Sequence, residues 1–451
     1  MKIDVSRRVF AASVLLLLAG CGDDSANTDN NYWRLHVIAD SYSGADGVDL
    51  VDIDRDGDLD AVVAWEEAGA VILHENPGPP LPGALWPHTF IDGGLVVGKV
   101  EDARVADFDG DGLVDAVVSA NEKGSERIGL HWLQGRGQPH NAESWQGTWP
   151  DQSLRYKYIK VAIGQIDGRG GLDIVAGAKA EGKPGGLVWY QAPERPGPDT
   201  ADQWRSRLID EIDWIDSVAI TDINDDGRND IVLNYWGNLV WYENPGAEER
   251  SAQRASPAWQ KHQISTTTKS YFADCSGDDG PLSGRLMAVG ADLSSAGAGD
   301  VVLYLVGKTY SADGRWDGGW AQREVRSHEP VPREPGEDDY AIKGIACGNI
   351  DNDARLDIVI SMSGRGHGVF ALMNLDNSLT DQFLHLRAIA SDEYHSRKGI
   401  KHDNLVLEDL DMDGDLDIIT TEENGSRSLL NRLIPGLSTR GLGLIWYENP
   451  G

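Results

Sequence analysis

The chain has 451 residues, of which 73 are acidic and 40 basic, giving a net charge of −33, and 40% are hydrophobic. That much apolar material can build a core, and the charge excludes a surface for nucleic acid or anionic lipid, whose phosphates it would repel. The 53 glycines, set among short apolar runs, point to turns and strands rather than long helices.

The first residues read as an export address. Arg7 and Arg8 precede an apolar stretch, Val9 to Leu18, that is too short to span a bilayer. It ends in Leu-Ala-Gly-Cys at Leu18 to Cys21, which resembles the lipobox of bacterial lipoproteins and implies acylation of Cys21. Ser6 to Phe10 also resembles a twin-arginine signal. The expected organisation is a signal peptide over 1–20, a flexible tether over 21–31 and a folded domain over 32–451, held in the bacterial envelope with the lipid as its only membrane contact. Cys275 and Cys347 remain. Export permits a disulfide between them, but sequence alone leaves open a buried free thiol.

One unit then recurs: an apolar strand, an acidic nine-residue loop and a second apolar strand. The loops begin at Asp52, Asp107, Gln165, Asp222, Asp292, Asn349 and Asp409. Segments ending in a turn recur in step, as in Ile72 to Gly78, Leu187 to Pro193, Leu239 to Gly246 and Leu444 to Gly451. Outer strands follow from Trp33, Trp86, Trp204 and Trp259, with weaker versions from Trp320 and Phe383. A repeat of this length accommodates four short strands, one propeller blade. The expected fold is all-β: a seven-bladed propeller of four-stranded antiparallel blades. Because the strand from Trp33 has no blade of its own and the last blade lacks an outer strand, the N-terminal strand is expected to close the seventh blade and remove an open sheet edge.

The loops are built like cation sites. Asp52, Asp54, Asp56 and Asp60 stand at positions 1, 3, 5 and 9, with Gly57 at position 6 for the sharp turn. The matching sets are Asp107, Asp109, Asp111 and Asp115; Asp222, Asn224, Asp226 and Asp230; Asn349, Asp351, Asp353 and Asp357; and Asp409, Asp411, Asp413 and Asp417. Calcium takes six to eight oxygen ligands at flexible geometry, which suits such clusters. Variable residues at position 7 fit coordination through the backbone carbonyl alone. An EF-hand needs glutamate at position 12 and flanking helices, whereas Val63, Val118, Leu233, Ile360 and Thr420 stand there. The third copy, with Arg169 at position 5, and the fifth, with Ala296, are expected to hold no calcium. About five structural calcium ions are therefore expected, the sixth loop being weakened by Asn349 and Ala354.

On these loops and the Trp-Tyr-Glu-Asn-Pro-Gly turns, the chain from Trp33 to Gly451 resembles the FG-GAP/VCBS repeat family, whose blades resemble those of the integrin α-subunit head. The resemblance implies calcium on the loop joining the first and second strands of each blade, and ligands on the opposite face. That face is expected to carry Glu66, Glu67, Asp102, Glu122, Lys160, Lys179, Trp214, Asp216, Trp236, Lys343, Arg365, His367, Lys401, His402, Glu422 and Glu423 around the mouth of a central channel. Convergent acids, bases and aromatics suit a sugar or another polar ligand. The expected function is a binding module for a glycan or protein partner. The alternative is a carbohydrate lyase or dehydratase using His402 or Lys401 as base, with Glu122 and Lys179 as further candidates. No G-x-S-x-G, H-E-x-x-H or P-loop occurs. The histidines His36, His88, His262 and His385 belong to outer strands and are expected on the rim.

Overall fold

The computed structural model describes residues 32–79, 83–91, 99–120, 129–148, 156–179, 185–246, 259–266, 272–275, 286–290, 301–327, 341–363, 368–374, 383–390, 400–424 and 442–451. Cys21, Glu122, Asp292, Ala296, Arg365 and His367, and the expected signal peptide and tether, lie outside those residues. The described strands form four separate four-stranded antiparallel sheets and one twelve-stranded sheet, whose three antiparallel runs are joined by the Arg326–Phe383 and Ser363–Lys401 pairings; the four sheets and three runs are here called sheets 1 to 7. Sheet 1 comprises Ala45–Val51, Asp60–Trp65, Ala70–His74 and His88–Phe90. Sheet 2 comprises Val100–Ala106, Asp115–Ala120, Gly129–Gly135 and Trp145–Thr148. Sheet 3 comprises Tyr158–Gly164, Asp173–Ala178, Leu187–Gln191 and Arg205–Asp210. Sheet 4 comprises Ser217–Thr221, Asp230–Tyr235, Asn238–Glu243 and Gln260–Thr266.

Sheet 5 comprises Phe272–Asp274, Leu286–Gly290, Val302–Tyr310 and Trp316–Ser327. Sheet 6 comprises Ala341–Gly348, Asp357–Ser363, Gly368–Met373 and Phe383–Ala388. Sheet 7 comprises Ile400–Glu408, Asp417–Asn424, Gly443–Glu448 and the N-terminal Arg34–Ala39. Arg34–Ala39 pairs antiparallel with Gly443–Glu448, so the two ends of the propeller chain share a sheet. Innermost strands pack side by side between sheets 1 and 2, 2 and 3, 3 and 4, 5 and 6, 6 and 7, and 7 and 1.

The second strands explain the continuous apolar runs in the sequence. Asp60–Trp65, for example, is buried at every position, because each of its faces meets a neighbouring sheet. Val62, Ala64 and Val71 pack with Val105, Ala116 and Val118 between sheets 1 and 2. Each fully buried valine or leucine contributes about 1.5–3 kcal/mol relative to exposure. On the rim, the outer-strand histidines pack: His36 stacks on Trp446 at 4.4 Å and bonds Glu448 at 2.6 Å, while His262 stacks on Trp241 at 4.3 Å and bonds Glu243 at 3.0 Å.

The asparagine of the Asn-Pro-Gly turns joins one sheet to the next. The Asn244 side-chain amide donates to the Ile166 carbonyl of the preceding repeat at 2.8 Å and to Asn229 at 2.7 Å. Asn449 donates to Ile350 and Leu416, and Asn76 to Leu59 and, across the closure, to Leu410. The structure also pairs Cys275 with Cys347 in a disulfide, with Cα atoms 5.3 Å apart. It ties the end of the first strand of sheet 5 to the first strand of sheet 6.

The fifth repeat is the one misread in the sequence. Its acidic stretch from Asp292 to Asp300 falls between the second and third strands of sheet 5, not the first and second. The first-to-second connection runs instead from Asp274 to Leu286. The first strand has only three residues, whereas the third and fourth have 9 and 12, so apolar pattern marks the wrong pair. Asn244→Ala should lower stability by about 2 kcal/mol, since it leaves the buried acceptors Ile166 and Asn229 without their donor. Denaturant unfolding checks this, and a loss below about 0.5 kcal/mol would remove the stitch from the account.

Candidate functional site

The acidic loops share one backbone course. Position 4 lies in the left-handed region in all six described loops: Arg55 (φ 67), Gly110 (73), Gly168 (72), Asp225 (60), Asn352 (59) and Met412 (62). Position 6 does so as well, which glycine supplies without strain and Ala354 (φ 65) does not. The course aims side-chain oxygens inward. Asp52 and Asp54 both accept the Asp56 N–H, at 3.1 and 3.2 Å, and Asp409 accepts those of Asp413 and Gly414, each at 3.0 Å.

Three loops bring three carboxylates within 4.8 Å of one another: Asp52, Asp54 and Asp60; Asp107, Asp109 and Asp115; Asp409, Asp411 and Asp413. Asp58 and Asp415, at position 7, are buried there too. Burial, with the neighbouring Asp56 or Asp413 charge, pushes each up to about 6. One oxygen each of Asp58, Asp411 and Asp415 is buried without a hydrogen-bond partner. The donor set is all oxygen, crowded and short of positive charge, which fits a hard cation such as calcium. Sequence reasoning assigned position 7 to its backbone alone and so missed Asp58 and Asp415; their acidity was the available signal. In the fourth and sixth loops Arg228 and Arg355 pair with Asp226 and Asp353, so an arginine already sits on the position-5 carboxylate.

The third loop satisfies itself differently. The Gln165 amide nitrogen donates to the carbonyls of Arg169 (3.1 Å) and Gly171 (2.9 Å), and its oxygen accepts the Gly168 N–H (2.9 Å). Gln191 donates to Asp167. Neutral amide groups thus satisfy this loop from within.

Position 9 has a further task. Asp60 accepts the N–H of Ile53 (3.1 Å) and of Asn76 (2.8 Å), clasping the loop to the end of the third strand. Asp115, Asp173, Asp230, Asp357 and Asp417 make the equivalent pair of bonds.

At the opposite end of the sheets, charged and aromatic groups meet around a central channel. The channel holds a cavity of about 220 Å³ lined by inner strands of five sheets, with Asp102, Arg104, Lys160, Asp216, Lys343 and Asp403 as its charged walls. Above it, Lys401 lies 2.5 Å from both Asp403 and Glu423. Lys99 lies 2.7 Å from Glu66 and 3.7 Å from Glu67. Lys179 pairs with Glu101 and sits 5.7 Å over the Trp214 ring, which in turn is 6.0 Å from Trp236.

Of the expected mouth residues, the structure thus gathers Glu66, Glu67, Lys179, Trp214, Trp236, Lys401 and Glu423, and sets Lys160, Asp216 and Lys343 deeper along the channel. Three are placed otherwise. Asp102 is fully buried and joins sheets: it accepts the Val161 N–H at 2.8 Å and pairs with Arg104 at 3.3 Å. His402 and Glu422 are fully buried, because strand alternation turns them away from the side that Lys401, Asp403 and Glu423 share. Glu422 accepts the Leu442 N–H at 3.0 Å. Sequence reasoning missed Lys99, Glu101 and Asp46, whose partners lie in other repeats, and Asp403, which pairs with Lys401 on its own strand.

The electrostatics follow from burial. Burial by itself would lower the Lys401 ammonium, but Asp403, Asp46 and Glu423 together hold it well above the usual lysine range. Burial raises Asp46 well above the usual carboxylate range, and Asp403 adds to it. Burial pushes Glu423 up to about 7 against the pull of Lys401.

No family model matches the chain, and no curated protein matches it in sequence. Solved structures resemble it in fold. A lectin of Agrocybe aegerita that recognises non-reducing terminal N-acetylglucosamine is 14% identical, with 78% of this chain and 81% of the lectin covered and a TM-score of 0.41. BBS1N in complex with ARL6DN is 10% identical in two crystals: the mercury-soaked one covers 92% of this chain and 96% of its own at a TM-score of 0.48, the lead-soaked one 93% and 97% at 0.46. The chain's own sheets define the class, an all-β propeller with four-stranded antiparallel blades.

Glu423 makes the mouth sensitive to pH. Its folded value near 7 lies above the ordinary 4.5, so the folded state holds the proton more tightly. The stability this provides is complete below about 4.5 and is lost as pH rises through 7. Thermal midpoints measured across this range should fall less steeply for Glu423→Gln than for the parent; parallel curves would contradict the assignment.

Proposed function

We propose that this protein is an exported, lipid-anchored propeller of the FG-GAP/VCBS kind, stiffened by calcium in its acidic loops, that recognises a glycan or protein partner at the channel mouth. The observation that carries the reading is the convergence there of lysines, carboxylates and two tryptophans from five different repeats, at the end away from the acidic loops. Such a mixture, on rigid strand ends, supplies hydrogen-bond donors, acceptors and stacking faces to a polar ligand.

The lyase or dehydratase reading is weaker on two physical grounds. A general base must be deprotonated and within reach of substrate. Lys401 is held as an ammonium by its carboxylates, and His402 is fully buried.

For the ions, Asp52, Asp54, Asp56, Asp107, Asp109, Asp111, Asp409, Asp411 and Asp413 would supply side-chain oxygens, with Asp58 and Asp415 adding theirs. When bound, calcium would neutralise carboxylates that otherwise repel across each loop. A ligand at a hundredfold excess over its Kd adds about 2.7 kcal/mol per site. Chelation should therefore lower the thermal midpoint and added calcium restore it, with the response shrinking in Asp411→Asn. Gln165→Ala should lower the midpoint equally with and without calcium, because its loop uses amide donors. A midpoint indifferent to chelator would remove calcium from the account. For recognition, an array of glycans and envelope proteins probed with the parent and with Trp214→Ala should show binding that the variant loses.

A further inference from the structure

Trp236 stands where tryptophan is unfavourable. It and Gly237 form the two-residue turn between Asp230–Tyr235 and Asn238–Glu243, where Tyr235 pairs with Asn238. Their φ values are +47° and +77°, the two positive values that a type I′ hairpin turn requires. Asparagine followed by glycine is the favoured pair at such a turn, and a left-handed conformation costs a bulky residue about 1–2 kcal/mol. The strained ring is not used to fill the core, since Trp236 is 50% exposed, among the most exposed large apolar side chains described. Strain held at an exposed aromatic beside a channel mouth points to a ligand rather than to packing.

The surroundings narrow the ligand. Trp214 meets Trp236 with centroids 6.0 Å apart and planes at 54°, so the two rings form an angled ledge. The Lys179 ammonium lies 5.7 Å over Trp214 and is neutralised by Glu101. A cationic ligand would find the face of Trp214 already covered by that ammonium and would have to displace it. An anionic ligand would find Lys99, Lys179 and Lys401 each held by carboxylates and would meet Glu66, Glu67, Glu101, Asp403 and Glu423. An uncharged pyranose avoids both penalties. Its C–H face stacks on an indole, while hydroxyls donate to Glu101 and accept from Lys179.

We infer that Trp236 and Trp214 form a stacking subsite for an uncharged, equatorially substituted pyranose, with the Lys179–Glu101 pair reading its hydroxyls. The inference rests on the recognition reading above and names its ligand class. The variant that tests it is Trp236→Asn, which removes the ring and installs the residue the turn prefers. Cellotetraose serves as the neutral probe and tetragalacturonate as the acidic one, each titrated by calorimetry and tryptophan fluorescence. The parent should bind cellotetraose at least tenfold more tightly than tetragalacturonate. Trp236→Asn should lose at least tenfold in affinity for cellotetraose while its thermal midpoint stays level or rises. Unchanged affinity in the variant, preference for tetragalacturonate or no binding of cellotetraose would each overturn the subsite. Capture of an envelope protein by the parent and Trp236→Asn alike would overturn it too, while leaving the broader recognition reading in place.

Discussion

The structure depends on a buried carboxylate that accepts two backbone N–H groups. In six repeats the ninth loop residue bonds the second loop residue with one oxygen and the end of the third strand with the other. One side chain thereby fixes the loop's entry, the start of the second strand and the exit of the third. Burial pushes Asp60, Asp115, Asp173 and Asp417 up to about 7 even though those hydrogen bonds pull the other way. Such groups are tolerated because leaving the two buried N–H donors unpaired would cost more. Asp173 shows that the clasp does not need an acidic loop: its loop carries Gln165 and Arg169 where the first loop has Asp52 and Asp56, yet it keeps both bonds.

The fold was legible because its determinants repeat locally. A strand buried on both faces reads as an unbroken apolar run, and a left-handed loop corner reads as glycine at position 6. The closing of sheet 7 by Arg34–Ala39 could be inferred because one strand was surplus at the front and one lacking at the back. Sheet 5 was misassigned because its first strand is three residues long and its true loop carries less acidic spacing than the decoy beginning at Asp292. Position 4 was not legible, since Arg55 and Met412 adopt positive φ there without any compositional sign. Nor was the disulfide, which depends on two inner strands of different repeats lying side by side.

The channel mouth was legible in outline and not in pairing. Position relative to the strand ends is the signal that groups Glu67, Lys179, Trp214, Trp236 and Lys401. The facing of a side chain depends on strand alternation, which sets Lys401 and Asp403 on one side and His402 on the other, and on where each strand bulges, here between His402 and Leu405. Ion pairs such as Lys179 with Glu101 cross between repeats 78 residues apart, beyond the reach of any local pattern.

The two ends of the propeller manage charge by opposite means. At the loop end, carboxylates of a single repeat are crowded together; the fourth and sixth loops carry their own arginine on the position-5 carboxylate, whereas the first has His140 beside Asp54 and the second has Arg136 acting on Asp109. At the mouth, acids come from several repeats and meet lysines, from another repeat for Lys99 and Lys179 and from the same repeat for Lys401. The first arrangement sets carboxylates against one another, whereas the second brings a lysine to each group of acids. A ligand that enters the mouth meets charges that already have partners, so shape, stacking and directed hydrogen bonds decide what it holds.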